Sequence, residues 1–167
     1  MKKMLAFVLV VVLSLSALPF AMAENTITTV AKFVSNFNLY ATLLETGHEL
    51  KSGNFEVMYL GKSGMLVKAI YNGCEILSIH TDANIEIVTS VSCTMSTGVK
   101  GSSLYVNDFW DLLTVVMLAC GMETDSVISA LKEFLDLGIG SSVTYDGLTI
   151  TCEETVMGGL SFEIERK

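Results

Sequence analysis

The side chains able to do chemistry are few: two histidines, His48 and His80, four cysteines, Cys74, Cys93, Cys120 and Cys152, and the close carboxylate pairs Glu153-Glu154 and Asp108 with Asp111. His48-Glu49 lacks the second histidine that would set two imidazoles on one helix face, so a zinc-hydrolase site is not encoded. Gly61-Lys62-Ser63 imitates the end of a phosphate-binding loop, but Glu56 stands where the first glycine belongs. Gly138-Ile139-Gly140 follows a helical pattern instead of opening one, which does not suit a dinucleotide. Asp82-Ala83-Asn84-Ile85-Glu86 alternates oxygen ligands without the glycine or distal glutamate of a calcium loop, and reads as a solvated turn. Neither a Cys-x-x-Cys pair nor a Gly-x-Ser-x-Gly elbow occurs. What remains is His80, on the strand parity of Cys74, Ile76 and Ser78. Facing inward it would meet a thiol or carboxylate in a pocket; at a sheet end it would be a hydrogen-bonded structural residue. No spacing brings two carboxylates to acid-base distance. No metal and no cofactor are expected.

The elements that must position these residues follow from periodicity. Phe33, Phe37, Tyr40 and Leu44 lie at helical spacing from Val30 onward, with Gly47 as the natural left-handed cap. Strands are expected over 54–60, 65–71, 74–81 and 85–95, joined by Gly61-Lys62-Ser63-Gly64, Asn72-Gly73 and Asp82-Ala83-Asn84, and such short connections impose antiparallel pairing. On the last strand Ile85, Ile87, Val91, Cys93 and Met95 share one parity, with Thr89 the exception. Glu86, Ser90, Ser92 and Thr94 share the other, with Val88 its apolar member. A two-residue turn centred on Ala83-Asn84 then puts Ile76, Ile87 and Val91 under the helix. It leaves Leu77, Ile79 and Val88 on the opposite face, as an apolar patch for a partner. After the loop-like stretch 96–103, a helix capped by Asn107 or Asp108 buries Phe109, Leu112, Leu113, Val116, Met117 and Cys120 and stops at Gly121. A second, from Thr124 or Asp125 to Gly138, buries Val127, Ile128, Leu131, Phe134 and Leu135. Strands over 142–145, 148–154 and 160–165 follow. The fold class is therefore α+β: an antiparallel β-meander sheet covered by helices on one face. Tyr71-Asn72-Gly73-Cys74-Glu75-Ile76 is echoed by Tyr145-Asp146-Gly147-Leu148-Thr149-Ile150, which fits either a degenerate tandem duplication with halves 24–96 and 104–167 or convergent hairpin chemistry.

Lys2 and Lys3, the apolar run from Met4 to Leu15 and the small-residue site Ala21-Met22-Ala23 compose a signal peptide over residues 1–23, cleaved after Ala23. Residues 24–167 then form a single α+β domain that is secreted or extracytoplasmic. Loss of Lys2 and Lys3 takes the formal charge from −8 to −10. That balance argues against nucleic acid and against anionic lipid, and no later apolar run is long enough to span a membrane once the signal is removed. An even cysteine count in an exported chain admits disulfides. The two-residue turn sets Cys74 opposite Cys93, though as a hydrogen-bonded pair, whose Cβ separation is wide for a disulfide; four small buried hydrophobes is the other reading.

With the elements placed, and Phe33-Val34-Ser35-Asn36-Phe37-Asn38 as an aromatic-Asn helix after the signal, the chain resembles small exported proteins of anaerobic Gram-positive bacteria that carry no assigned activity. Its element order is also similar to the tandem helix-plus-sheet layout of β-lactamase inhibitor proteins, without their interface motifs and with no inhibitory residue to carry over. The leading expectation is a non-catalytic binding or protein-interaction module, its partner another extracytoplasmic protein. The alternative is a small enzyme or small-molecule binder with a pocket between helices and sheet, using His80 or His48.

Overall fold

The structure, a computed structural model, describes residues 25–51, 55–60, 63–70, 75–95, 103–155 and 159–167. In chain order the elements are β1 (Thr28–Thr29), α1 (Val30–Leu43), β2 (Glu56–Leu60), β3 (Ser63–Ile70), β4 (Glu75–Asp82), β5 (Ile87–Met95), α2 (Ser103–Ala119), α3 (Thr124–Leu137), β6 (Ser142–Tyr145), β7 (Leu148–Glu154) and β8 (Leu160–Arg166). The strands form one antiparallel sheet in the order β2-β3-β4-β5-β8-β7-β6, with β1 paired to the start of β5. The α+β class, with its meander and helices packed on the sheet, is thus what the sequence predicts. The later meander meets the earlier one along β5 and β8, where Ser90 pairs with Glu165 and Met95 with Leu160.

Side chains alternate across a strand, so each cross-strand row belongs to one face. One row runs Val57, Leu66, Ile79, Val91, Ile164, Ile150, Val143 across the whole sheet. All but Val57, on the edge strand, are buried. The next inward row carries Leu77, Cys93, Phe162 and Cys152, all buried as well. These rows make the floor of the core. Phe162 is its centre, with its ring 5.7 Å from Phe109 and 5.8 Å from Trp110 of α2 and 5.2 Å from Phe134 of α3.

The face assignment from sequence is inverted on β4. Leu77, Ile79 and Val88 are fully buried under the helices, so they are core and not a docking patch. Ile87 is half-buried, Val91 is core as expected, and the side chain of Ile76 lies outside the description. The physical reason lies in the turn. The β4–β5 connection is not a two-residue turn: the Asp82 carboxylate Oδ1 accepts from the backbone N–H groups of Glu86 (2.8 Å) and Ile87 (3.0 Å), and the Asp82 carbonyl accepts from Ile85 N–H (3.1 Å). Those hydrogen bonds stabilise the charged carboxylate, the one from Ile87 most, and hold its pKa below the ordinary aspartate value. Ile85 takes a left-handed φ of 59° within this loop. A bulge follows, for His80 pairs with Ser90 while Thr81 pairs with Val88. The extra residue, Thr89, lets Val88 and Val91 face the same way despite their odd spacing.

The helices end by side-chain and backbone caps. Thr29 Oγ1 accepts from Lys32 N–H (3.2 Å) at the start of α1. At its end Glu45 takes the left-handed cap position (φ 54°), with Thr46 N–H on Ala41 O and Glu45 N–H on Thr42 O, and the predicted Gly47 is left-handed too (φ 74°), two residues on. Asn38 then ties the following segment down: its amide donates to Leu50 O (2.9 Å) and accepts from Leu50 N–H (2.7 Å), as a neighbouring strand would. Helix α2 begins at Ser103, earlier than expected. From Phe109 onward it is buried almost all round, including Val115, Leu118 and Ala119, because it packs against α1, α3 and β5. Gly121 ends it at φ 94°, with Met122 N–H on Met117 O and Gly121 N–H on Leu118 O. Helix α3 buries Val127, Ala130 and Phe134 but leaves Ile128 and Leu135 exposed, against expectation, since its apolar stripe is wider than the face that α2 and β6 cover.

Candidate functional site

Every helix packs on the same side of the sheet, and the opposite face carries no element among the described residues. Its composition follows from the alternation that buries the other face. One row reads Glu56, Val67, Ser78, Ser92, Glu163, Thr151, Ser142. A second reads Met58, Met65, His80, Ser90, Glu165, Thr149, Thr144. Part of a third holds Thr94, Ser161 and Glu153. The hydroxyls are partly paired across strands: Thr94 with Ser161 at 3.1 Å, Thr144 with Thr149 at 3.1 Å, and Thr151 donating to Ser142 at 3.4 Å.

Side-chain length shapes this face. Short hydroxyl residues, Ser92, Thr151 and Ser161, are interspersed with the longer His80, Glu153 and Glu163. The result is a shallow hollow of about 300 Å³ bounded by His80, Ser92, Thr151, Glu153, Ser161 and Glu163. The charge is one-sided. The rows hold Glu56, Glu153, Glu163 and Glu165 and no Lys or Arg; Lys167, past the end of β8, reaches Glu165 at 3.0 Å. Such a face offers carboxylate and hydroxyl acceptors over a broad, low-relief area.

The structure separates the groups that a cysteine-histidine site would need. His80 lies on the bare face, whereas Cys93 and Cys152 alternate to the core face. His48 lies beyond α1 beside a different hollow, with Asn38 and Glu49. The β4 partner of Cys93 is Leu77, not Cys74, a consequence of the longer turn and bulge; Cys74 itself, like Asn72-Gly73, lies outside the described residues. Burial, with Cys93 nearby, pushes the Cys120 thiol far above its ordinary pKa, and burial followed by the Glu153 charge pushes Cys152 up. Protonated thiols of this kind are poor nucleophiles. Among the described residues no group of three or more His, Cys, Asp or Glu is arranged to hold a metal ion, and no helix is long and apolar enough to cross a membrane. Ser78, Ser92, Ser161, Glu163 and Glu153 were not singled out from the sequence as a surface. Their signal was the polar alternation of β4, β5, β7 and β8, which becomes a face only once the register is known.

Compared with known protein families, characterised proteins and solved structures, the chain matches none.

Proposed function

We propose that this chain is an exported, non-catalytic interaction module that takes a basic segment of another extracytoplasmic protein against the bare face of its sheet. The observation that supports it is the one-sided charge of that face. Protein surfaces ordinarily mix signs, and four carboxylates against one cation, Lys167 at the end of β8, favour a cationic partner and disfavour anionic ones. The serines and threonines between the glutamates add hydroxyls that a partner's polar groups can use. Export is supported by the charged, apolar and small-residue order of residues 1–23.

The test is a titration of isotope-labelled protein with a synthetic lysine-serine repeat peptide, followed by amide chemical shifts. Shifts are expected on β5, β7 and β8 and should shrink as salt is raised past a few tenths molar, where screening shortens to about 5 Å or less. The double change Glu153→Lys with Glu163→Lys should abolish them. Shifts that fall on the helices, or a double variant that binds as well as the parent, would refute the reading.

A further inference from the structure

The helix side of the sheet has an opening of its own. Between the start of α1, the strands β2 and β3 and the β4–β5 turn lies a groove of about 670 Å³, within the size range of small-molecule sites. Its walls are apolar: Val34 of α1, Phe55 just ahead of β2, Leu66 of β3 and Ile85 of the turn. Ile85 projects there from a left-handed backbone that a branched side chain rarely adopts, and the Asp82 hydrogen bonds hold it so. Glu86 is the one charged residue among the described ones that line the groove. Neither the ion pair of Lys51 with Glu49 nor that of Lys167 with Glu165 involves its carboxylate.

The start of α1 also borders the groove, so two opposite charges compete for a ligand's polar end. The helix N-terminus contributes at most roughly half a positive charge, against the full charge of a carboxylate. Its first donors are moreover engaged, Val30 N–H by Glu86 O (2.9 Å) and Lys32 N–H by Thr29 Oγ1. Among the described residues that line the groove, the one full charge is therefore the negative charge of Glu86. We propose that this groove binds a small organic cation with an apolar body, an alkyl- or arylammonium, the body lying on Val34, Phe55, Leu66 and Ile85 and the ammonium beside Glu86. This site is separate from the bare sheet face and stands or falls without it.

The experiment measures binding of octyltrimethylammonium, octyl sulfate and octanol to the full chain, each below its aggregation limit, by calorimetry and amide shifts. The ammonium should bind more tightly than octanol by about three- to fivefold, the worth of one partly exposed charge pair, with octyl sulfate weakest. Its shifts should map to α1, β3 and the β4–β5 turn. Glu86→Gln should remove the preference while keeping the octanol affinity. Ala31→Trp, placed at an exposed position on the groove wall, should block all three ligands with the far-UV spectrum unchanged, and Glu163→Lys should leave them bound. No binding of the ammonium, equal or tighter binding of the sulfate, shifts elsewhere on the protein, or full binding in Ala31→Trp would each overturn the assignment. The shift map in the unaltered chain decides the matter even if a variant fails to fold.

Discussion

Replacement of Asp146 should separate two contributions to stability that one residue makes at once. Asp146 is the first residue of the β6–β7 turn, at φ 54°, followed by Gly147 at φ 72°. Its carboxylate also reaches out of the turn: Oδ2 accepts from Glu123 N–H at 2.8 Å and Oδ1 from Ser126 Oγ at 3.0 Å. Glu123 occupies the N-cap position of α3 and makes no side-chain cap bond. The hairpin therefore caps the helix from 23 residues away in sequence. An N-cap side chain contributes about 0.5–2 kcal/mol, and the negative charge at a helix N-terminus adds about 0.3–1 kcal/mol when exposed. Asp146→Gly removes both contributions yet suits the left-handed backbone, so a loss of about 1–2 kcal/mol is expected. Asp146→Ala loses the cap and also forces an unsupported Cβ into the left-handed region, for up to about 1 kcal/mol more. Asp146→Asn keeps one acceptor and tolerates the turn, and should lose about 0.5–1 kcal/mol. Urea unfolding followed by the fluorescence of Trp110, the single tryptophan, reads all three. If alanine falls within about 0.3 kcal/mol of the parent, or asparagine is worse than alanine, the cap across the hairpin does not carry the energy assigned to it.

Other substitutions probe the remaining supports. Asn38→Ala strips both bonds from buried Leu50 and should lose about 2 kcal/mol, with the Leu50 amide exchanging much faster with deuterium. Phe162→Ala opens a cavity among Phe109, Trp110 and Phe134 and should cost about 3–5 kcal/mol in the same urea assay. Because the folded-state pKa of Asp82 lies below its unfolded value, its contribution is complete above the ordinary aspartate pKa and is lost as the pH falls through the folded value. Asp82→Asn should therefore be less stable than the parent at neutral pH and should shed part of the parent's loss of stability under acid. At mildly alkaline pH the native Cys120 and Cys152 should stay silent to a disulfide-exchange reagent and should react once the chain is unfolded.

The later strands and the ends of both preceding helices were legible in the sequence nearly to the residue, because glycines with positive φ at Gly121, Gly138 and Gly147 punctuate them, whereas the start of α2 and the exposed Ile128 and Leu135 of α3 were not. The face of β4 was not. Parity counted across a turn survives only if the turn length is known, and an odd error exchanges core for surface. Asp82 gave no warning that its side chain would extend the turn. The two misfits in the β5 pattern, polar Thr89 among the apolar positions and apolar Val88 among the polar ones, were the trace of the bulge. Read together they would have returned Leu77 and Ile79 to the core and exposed Ser78 and His80. The bonds of Asn38 to Leu50 and of Asp146 to Glu123 had no signature, since short polar side chains reach partners that no periodicity connects. Likewise the acidic hollow joins β5, β7 and β8, and the pairing of β5 with β8 is a long-range event.

That pairing has a consequence for how the chain reaches its fold. β8 follows every other described strand in sequence, yet it lies inside the sheet, between β5 and β7. Until it is in place, β5 and β7 each present an unsatisfied edge, and Phe162 is missing from the middle of the aromatic cluster. Closure must then wait on contacts of high sequence separation, such as Val91 with Ile164, which slow folding and prolong the exposure of pairing edges. A chain emerging from its N-terminus holds two sticky half-sheets until these residues arrive, which makes β8 the segment a chaperone or a competing strand would have to imitate.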